Sequence, residues 1–365
     1  MSEIFVFLGP TLPVEEARLR LDAAYLPPVS QGDVAGLVDR APRAIGIIDG
    51  IFQLVPTVWH KEILYALDAG IPVFGAASMG ALRAAELDRF GMRGVGRIYR
   101  WYASGILDAD DEVAVTHAPA ALGHQPLSEA MVNIRATLGQ AVEQGRLSQT
   151  DAADLIEICA ATPYWLRGRD RLIRNAERAG FGKTSIRHLK RMDWVDQKRL
   201  DALELLDALQ HPDGLAPSKP AARGENTFES TMKFERMLDQ DLPVHQDGDA
   251  RLTAQALADF VRLAPCEEAA LHWSQKLARA GAPAQQILAA LDDEDCLNRT
   301  IAAASRADRS DGVRPVEGDD EAAFAAFCAR QGRAGQSFEA VAADLGFASA
   351  SRLLDRLHRF GAGDA

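Results

Sequence analysis

A serine flanked by small residues stands between a predicted strand and a predicted helix, at residues 76–80 (Ala-Ala-Ser-Met-Gly). Small neighbours let the chain turn sharply and expose the Ser78 hydroxyl, as in a nucleophile elbow, and the helix N-terminus behind it offers N–H groups to an oxyanion. The same geometry can hold a phosphate or carboxylate without covalent chemistry, and Ser78 can also be a plain helix N-cap. The spacing alone leaves these three interpretations open, because a single pattern of this kind is a weak motif.

A nucleophilic serine needs a base, and the base needs a group that orients it. His60 stands near the start of a predicted helix, where the helix dipole favours the neutral imidazole. Asp49 and Glu62 can orient His60 or act as a carboxylate base, and His117 is a second candidate base. The structural alternative is that His60 packs beside a tryptophan and Glu62 is a surface charge. The candidate catalytic set is Ser78, His60, Asp49 and Glu62.

Candidate substrate-binding residues lie near the predicted carboxyl ends of the strands, which is where open α/β sheets bind ligands. They are Gly9, Gly50, Gly80, Arg83 and Glu86. Arg83 and Glu86 are three residues apart on one helix face and can pair with each other. Such a pair is usually structural, but if it faces the sheet edge Arg83 can hold an anionic group of the substrate.

Neither a nucleotide nor a metal is predicted from the motifs. No segment matches GxxxxGK[ST], and the glycines at 91–96 follow a helix rather than a strand, so we expect no ATP or dinucleotide cofactor. The acidic run at 108–112 can bind a hard cation, but a cluster of loop charges explains it better. The sequence therefore predicts no cofactor and no metal.

The elements that position these residues alternate between strand and helix over the first 120 residues. Short apolar runs at 4–8, 44–48 and 72–75 predict parallel strands with helices between them, and a fourth strand is predicted at 112–116. This order is typical of an open parallel, Rossmann-like α/β sheet. The chain after residue 127 is predicted to be largely α-helical, with helices at 128–144, 149–160, 167–179 and 195–209.

The predicted organisation has four parts: an α/β core at 1–135, a helical extension at 136–210, a polar linker at 211–247 and a helical C-terminal domain at 248–365. Within the last part, residues 337–347 and 351–360 have the spacing of a helix-turn-helix. The segment from residue 331 onward carries 4 basic and 4 acidic residues and is neutral. Docking of a peptide or subunit therefore explains it better than DNA binding, which needs cationic contacts to phosphate.

Composition excludes several broad classes. The chain has 365 residues, of which 47% are apolar and 25% charged, as in ordinary globular proteins. We expect no membrane span, because no apolar run approaches the length of about 20 residues that one needs. The start of the chain lacks signal-peptide features, and the four cysteines form no CxxC pair, so a reduced, cytoplasmic protein is expected.

Charge is unevenly distributed along the chain. The formal net charge of −12 makes nucleic-acid binding unlikely as a general property. Residues 165–199 nevertheless contain 11 Lys or Arg and 4 Asp or Glu, a local net charge of +7. This basic segment indicates either a face for an acidic partner or a solvated helix surface.

Several segments, taken as an ordered set, resemble the TfuA family. The strongest resemblance is at 75–87 (GAASMGALRAAEL), and together the segments cover most of residues 4–135. A run at 195–199 (VDQKR) resembles longer, bacterial-type members. The other matching segments are 6–12, 27–33, 45–50, 59–64, 91–92 and 110–115.

This resemblance implies a partner of a YcaO-type enzyme. YcaO enzymes use ATP to activate a peptide-bond oxygen for replacement, and with TfuA-like partners a sulfide equivalent replaces it, giving a backbone thioamide. The implied role is to recruit or release the sulfur, with a precursor peptide and a small ubiquitin-like sulfur-carrier protein as further partners. If the carrier holds sulfur as a thiocarboxylate, Ser78 would attack that carbon and sulfide would leave.

Two other classes of function remain open at this stage. A non-catalytic adaptor would dock the YcaO enzyme and present the sulfur donor or the precursor peptide, and its activity would tolerate the loss of Ser78. An unrelated α/β hydrolase would turn over a generic ester without any YcaO enzyme.

Overall fold

The computed structural model describes most of the chain, and residues 211–227 of the predicted linker lie outside the described residues. The described residues form two compact units, Met1–Glu229 and Ser230–Ala365, which divide within the predicted linker. The four-part division stays a prediction. The described residues are 3–51, 56–118, 122–210, 228–240, 242–247, 250–263, 284, 287, 291, 294–307, 320–330, 333, 335–347 and 349–360.

The first unit is built on a five-stranded sheet in the order β2-β1-β3-β4-β5, and all neighbouring pairs are parallel. This confirms the predicted open parallel α/β sheet followed by a largely helical region. The strands are β1 (Ile4–Phe7), β2 (Ala24–Leu26), β3 (Ala44–Ile47), β4 (Val73–Gly75) and β5 (Arg93–Gly94).

The predicted strand at 112–116 is wrong. Residues Asp110–Glu112 form a 3-10 turn, and no strand follows it in the described residues around 113–116. Side chains hold this segment instead of a neighbouring strand: the Lys198 ammonium donates to the Val113 carbonyl at 3.0 Å, and Arg135 pairs with buried Glu112 at 2.6 Å. The apolar alternation of the segment therefore reflects packing of a loop.

Helices cover both faces of the sheet. Most of those in the described part of the first unit lie close to predicted positions, and α6 matches its predicted bounds, whereas α4 and α8 were not predicted. The helices are α1 (Val14–Arg18), α2 (His60–Asp68), α3 (Met79–Leu87), α4 (Gly96–Ala103), α5 (Met131–Glu143), α6 (Gln149–Ala160), α7 (Arg169–Arg178), α8 (Lys183–Arg191) and α9 (Gln197–Gln210).

Successive residues of β1 point to opposite faces of the sheet. Phe5 and Phe7 join a core with Ile63 of α2, whereas Val6 joins a second core with Leu205 of α9. Each fully buried leucine contributes about 1.5–3 kcal/mol by leaving water, and three leucines of α9 are fully buried. Helix α9 is therefore held firmly on the sheet, which matters because its first turn reaches the carboxyl edge of the strands.

The second unit has its own core, formed by residues such as Phe260, Phe327 and Leu353. Within it, the predicted helix-turn-helix region forms two helices, Phe338–Asp344 and Ala350–Phe360. Its elements are α10 (Met232–Gln240), β6 (Pro243–Asp247), β7 (Ala250–Thr253), α11 (Ala254–Leu263), α12 (Glu294–Ala307), α13 (Asp320–Arg330), α14 (Phe338–Asp344) and α15 (Ala350–Phe360). Among the described helices of both units, none is long and apolar enough to cross a membrane.

Candidate functional site

A crevice lies at the carboxyl edge of the sheet and contains a cavity of about 210 Å³. Helix α3 brings Ser78 to it, β3 brings Asp49, and α9 brings Lys198. The polar part of the lining is completed by Asp110, Thr116, His117 and Tyr164. The structure therefore unites two of the four predicted catalytic residues, Ser78 and Asp49, with groups from distant parts of the chain.

The turn that carries Ser78 is sharp and strained. Ala77 has a φ of 64°, a left-handed conformation that costs a non-glycine residue free energy. The N–H of Ser78 donates to the carbonyl of Ala76 at 2.7 Å, which closes a three-residue turn. Strain of this kind is typical of strand-to-helix turns that present a nucleophile.

The Ser78 hydroxyl is not used to cap α3. Ser78 occupies the N-cap position, but its side chain makes no capping hydrogen bond, and the residue is 8% exposed. By contrast, the Ser148 side chain caps α6 by accepting from the N–H of Asp151 at 2.9 Å. The plain N-cap interpretation of Ser78 therefore loses its physical basis, and the nucleophile and anion-holding interpretations remain.

Most first-turn N–H groups of α3 already have acceptors. The N–H of Gly80 donates to the carbonyl of Ile48 at 3.2 Å, and those of Ala81 and Leu82 donate to the carbonyl of Ser78. Of the first four N–H groups of α3, the one that remains to be assigned an acceptor is the N–H of Met79. An oxyanion at Ser78 would therefore depend on this amide and on a side chain of the crevice.

The three glycines predicted to bind substrate lie where the chain packs most closely. A Cβ atom on Gly80 would lie 1.7 Å from the Ile47 carbonyl oxygen, and one on Gly50 would lie 2.7 Å from the Met79 side chain. A Cβ on Gly9 would lie 2.4 Å from Pro28. Close packing accounts for these glycines, and their role toward a substrate stays a prediction.

Asp49 fastens the loop after β1. One carboxylate oxygen accepts from the N–H groups of Gly9 and Thr11 at 2.9 and 3.0 Å, and the other accepts from the Thr11 hydroxyl at 2.6 Å. The Lys198 ammonium lies 3.8 Å from the second oxygen. Asp49 is therefore placed to hold Lys198 in the crevice rather than to take a proton from Ser78.

Lys198 is the principal site residue that the search for catalytic motifs missed. Its side chain is 5% exposed, and its ammonium donates to the Val113 carbonyl at 3.0 Å. Burial lowers the pKa of Lys198, while the carboxylates of Asp49, Asp196 and Glu129 act in the opposite direction. A buried lysine that lines the same cavity as a serine is a functional-site signal, because burial of a cation is costly without a purpose or a partner.

His117 lies in the same cavity as Ser78, and its hydrogen bond fixes its tautomer. Nδ1 lies 2.9 Å from the carbonyl oxygen of Ala118. A carbonyl can only accept, so Nδ1 carries the proton, and Nε2 is the proton acceptor of the neutral ring. His117 is thus in the tautomer that a base for Ser78 needs.

His60 lies in a separate surface cluster with Arg83 and Glu86. The Glu86 carboxylate is 2.8 Å from His60 Nε2 and 2.7 Å from Arg83 Nη1, which confirms the predicted Arg83–Glu86 pair. Burial alone would raise the pKa of Glu86, but the hydrogen bonds from His60 and Arg83 bring it below its ordinary value. The described contacts of His60 do not include Ser78, so its role as the base stays a prediction.

Glu62 is completely buried and serves as an acceptor for backbone amides. Its carboxylate accepts from the N–H of Gly32 at 2.8 Å, of Trp59 at 3.0 Å and of Ala35 at 3.4 Å. Burial raises the pKa of Glu62 to about 7, although these three hydrogen bonds lower it in part. The bonds from Gly32 and Ala35 tie α2 to the segment after β2, and a role beside Ser78 stays a prediction.

Glu62 should make stability depend on pH. Its folded-state pKa of about 7 lies above the ordinary value of 4.5, so its stabilising contribution is complete at low pH and lost as the pH rises through 7. We expect the free energy of unfolding of the wild type, relative to Glu62→Gln, to fall by up to about 3 kcal/mol between pH 5 and 8. Chemical denaturation of both proteins measures this, and parallel pH profiles would contradict it.

A larger chamber of about 420 Å³ adjoins the Ser78 cavity. Pro10, Val115 and Lys198 line both spaces, so Lys198 stands in the wall between them. The other polar residues that line the larger chamber come chiefly from the loop before α5 and from the segment between α8 and α9. These residues are Thr11, Ser128, Glu129, Asn133, Arg167, Trp194 and Asp196.

The fold and the crevice define a class: an open α/β protein in which a strained serine turn and a buried lysine line one cavity. Comparison with protein families places residues 49–168 in a match to the TfuA-like protein family. The chain therefore carries a TfuA-like region, which confirms the resemblance found in the sequence. That region contains Ser78 and His117, whereas Lys198 lies beyond it. No curated protein matches the chain.

Proposed function

We propose that this protein is the TfuA-like partner of a YcaO-type enzyme in ATP-dependent thioamidation of a peptide backbone, and that it releases sulfide from a thiocarboxylate at Ser78. The family is known as a group of YcaO-associated partners, and residues 49–168 match it. The proposed hydrolysis rests on one observation. The Ser78 side chain makes no capping hydrogen bond, and it lines one cavity together with Lys198 and His117. An adaptor that only docks YcaO has no need for this arrangement.

In the first step, the Ser78 oxygen attacks the carbon of the thiocarboxylate. The C–O bond forms and the C–S bond breaks, giving an acyl-serine ester. The proton of the Ser78 hydroxyl passes through His117 Nε2 to the departing sulfur, which leaves as HS⁻. A second step consumes one water molecule, releases the carboxylate and one proton, and restores Ser78.

Lys198 supplies the positive charge that this chemistry requires. A thiocarboxylate is an anion and repels an incoming nucleophile, so pairing with an ammonium makes attack easier. Lys198 lies 3.8 Å from Asp49 and donates to the Val113 carbonyl, which leaves a further N–H for the substrate because an ammonium has three. Together with the N–H of Met79, Lys198 can stabilise the tetrahedral oxyanion.

The basic segment forms a docking surface for an acidic partner. Helices α7 and α8 expose several cations that have no ion pair with any described residue. An acidic sulfur carrier or an acidic leader peptide would be attracted to this face, chiefly through a faster association rate. The cations are Arg174, Arg178, Lys183, Arg187 and Arg191.

Reversing charge on this surface should slow partner association. The triple variant Arg178→Glu, Lys183→Glu and Arg187→Glu is expected to lower the association rate by tenfold or more at low salt, in line with typical electrostatic steering. Stopped-flow mixing with the sulfur carrier and, separately, with the precursor peptide measures the rate. The matched alanine variant should show a smaller effect. Equal rates for both variants and the wild type would refute the docking role.

The proposed function is tested by reconstitution with a YcaO enzyme, ATP, the precursor peptide and a thiocarboxylated carrier. We expect this protein to release sulfide from the carrier without YcaO, and to support formation of a peptide thioamide with it, detected by mass. Thioamide formation from free sulfide but no sulfide release from the carrier would leave the adaptor function in its place. Ester hydrolysis without any effect on thioamidation would favour an unrelated hydrolase.

A further inference from the structure

A single loop forms much of the wall of the Ser78 cavity. We call residues 110–117 the strap: after the 3-10 turn Asp110–Glu112, its described residues belong to no helix or strand. Asp110 and residues 113–117 line the cavity. Because the strap carries His117, the proposed base, its placement sets where the imidazole lies in the cavity.

Cationic side chains from distant segments hold the strap in place. Arg135 and Lys198 bind its middle. Arg167 binds its start, where Nη2 donates to the Asp111 carboxylate at 2.6 Å and Nη1 donates to the Asp111 carbonyl at 2.8 Å. One guanidinium therefore fixes both the side chain and the backbone of Asp111, the residue that follows Asp110 of the cavity wall.

The same guanidinium is anchored at the C-terminal end of α6. Its Nε donates to the carbonyl of Thr162 at 2.9 Å and to that of Cys159 at 3.2 Å, and the helix dipole favours a cation at this end. The side chain of Arg167 is 2% exposed, whereas that of Asp111 is 43% exposed. Arg167 is therefore a fixed point to which the strap is tied, which distinguishes this contact from an ordinary surface ion pair.

The backbone of Arg167 is linked to the other end of the strap. There the Leu127 N–H donates to the Thr116 carbonyl at 2.7 Å, and the Thr116 N–H donates to the Ser128 hydroxyl at 2.9 Å. The N–H of Glu129, the next residue, donates to the Arg167 carbonyl at 3.1 Å. Both ends of the strap are thus connected to Arg167.

We propose that Arg167 is a positioning residue, which fixes the strap so that His117 stays in the Ser78 cavity in the tautomer that accepts a proton at Nε2. This inference rests on the proposed function, in which His117 takes the proton of Ser78. Arg167 itself does not line the Ser78 cavity, so it acts only through the strap. Displacing a catalytic group by about 1 Å can lower a rate about a hundredfold, which makes the anchoring of this loop important for the reaction.

Kinetics with thioacetate, a small substrate that needs no docking surface, measure the effect on the chemical step. Arg167→Met is expected to lower kcat for sulfide release about ten- to a hundredfold per folded molecule, with little change in KM. The folded fraction is measured by near-ultraviolet circular dichroism. A residue that only stabilised the fold would lower this fraction and leave kcat per folded molecule unchanged. Arg167→Lys keeps the charge but not the forked contacts, so its kcat should lie between those of Arg167→Met and the wild type.

A second variant disturbs the fold less. Asp111→Ala removes the carboxylate from the strap but leaves the bonds of Arg167 to the carbonyls of α6 in place, and no buried charge is left unpaired because the Asp111 side chain is 43% exposed. We expect a smaller loss of kcat, about three- to tenfold. Arg333→Met is the matched control. Arg333 pairs with Asp344 in the second unit, also at 2.6 Å, and its loss should leave kcat unchanged.

Nitrogen NMR of the histidine rings tests the positioning role without hydrolysis. At a pH where the ring is neutral, wild-type His117 should carry its proton on Nδ1, which lies 2.9 Å from the Ala118 carbonyl oxygen. Its signals are assigned by their absence from His117→Gln. In Arg167→Met and Asp111→Ala we expect a mixture of the two tautomers, as in a solvent-exposed ring.

The NMR result separates this inference from the proposed function. A mixture of tautomers in both variants would support the positioning role even if no protein released sulfide, and the missing sulfide would then count against the hydrolytic function alone. Retention of the wild-type tautomer in both variants would overturn the positioning role, whatever the kinetics.

Discussion

Ser78→Ala is expected to lower sulfide release from a thiocarboxylate by at least about a thousandfold, because removal of a nucleophile leaves only binding and electrostatic effects. The loss should lie in kcat, since the hydroxyl contributes mainly after the substrate is bound. Thioamide formation with a thiocarboxylated carrier should fall to the same extent, and added free sulfide should restore it. Colorimetric sulfide assay and peptide mass measure the two quantities.

The folded state should tolerate this substitution well. The Ser78 side chain makes no capping hydrogen bond to α3, so we expect the free energy of unfolding to change by less than about 1 kcal/mol. Ser148→Ala is the matched control, because Ser148 does cap a helix, α6, through Asp151. It should cost about 1 kcal/mol of stability and leave sulfide release intact. The opposite pattern, with activity retained in Ser78→Ala, would end the covalent mechanism.

Trapping the acyl intermediate adds a direct observation. Quenching the reaction with acid within the first turnover should preserve the acyl-serine, because an ester is stable in acid once turnover has stopped. Intact-protein mass would then increase by the mass of the acyl group. This adduct should be missing from the Ser78→Ala protein, and an adduct that persists there would assign the nucleophile to another residue.

The sequence predicts the sheet where the strands are fully buried and therefore leave an apolar run. This is the case for β1, β3 and β4, whereas the two edge strands β2 and β5 are only partly buried and leave no such signal. The false strand at 112–116 shows the converse case. Its apolar residues pack as a loop that is held by Lys198 and Arg135, which are remote in sequence.

The sequence predicts only those parts of the site that depend on residues close together in the chain. The Ser78 turn and the Arg83–Glu86 pair are local features, and both were found from spacing. The left-handed Ala77 could not be predicted, because alanine has no preference for that conformation. The grouping of Ser78 with Lys198 depends on how α9 packs across the sheet, and the only signal in the sequence was that residues 195–199 resemble longer members of the family.

Lys198→Met is expected to lower kcat/KM for sulfide release by about a hundred- to a thousandfold, the usual effect of removing one group that stabilises a developing oxyanion. The same change leaves Asp49 buried without its cation. Breaking a buried pair in this way typically costs about 3–5 kcal/mol, so the single variant will also be less stable, and its loss of activity alone would be ambiguous.

The double variant Lys198→Met with Asp49→Asn separates the two effects. Replacing both charges removes the unpaired carboxylate, and neutral replacements of a buried pair often restore stability. We expect most of the free energy of unfolding to return, because the amide oxygen introduced by Asp49→Asn would still accept from the N–H of Gly9 or Thr11, as the Asp49 carboxylate does at 2.9 and 3.0 Å. Sulfide release should stay low, because no ammonium would face the thiocarboxylate. Recovery of both stability and activity would show that Lys198 only balances Asp49, and the catalytic charge would then have to come from elsewhere in the crevice.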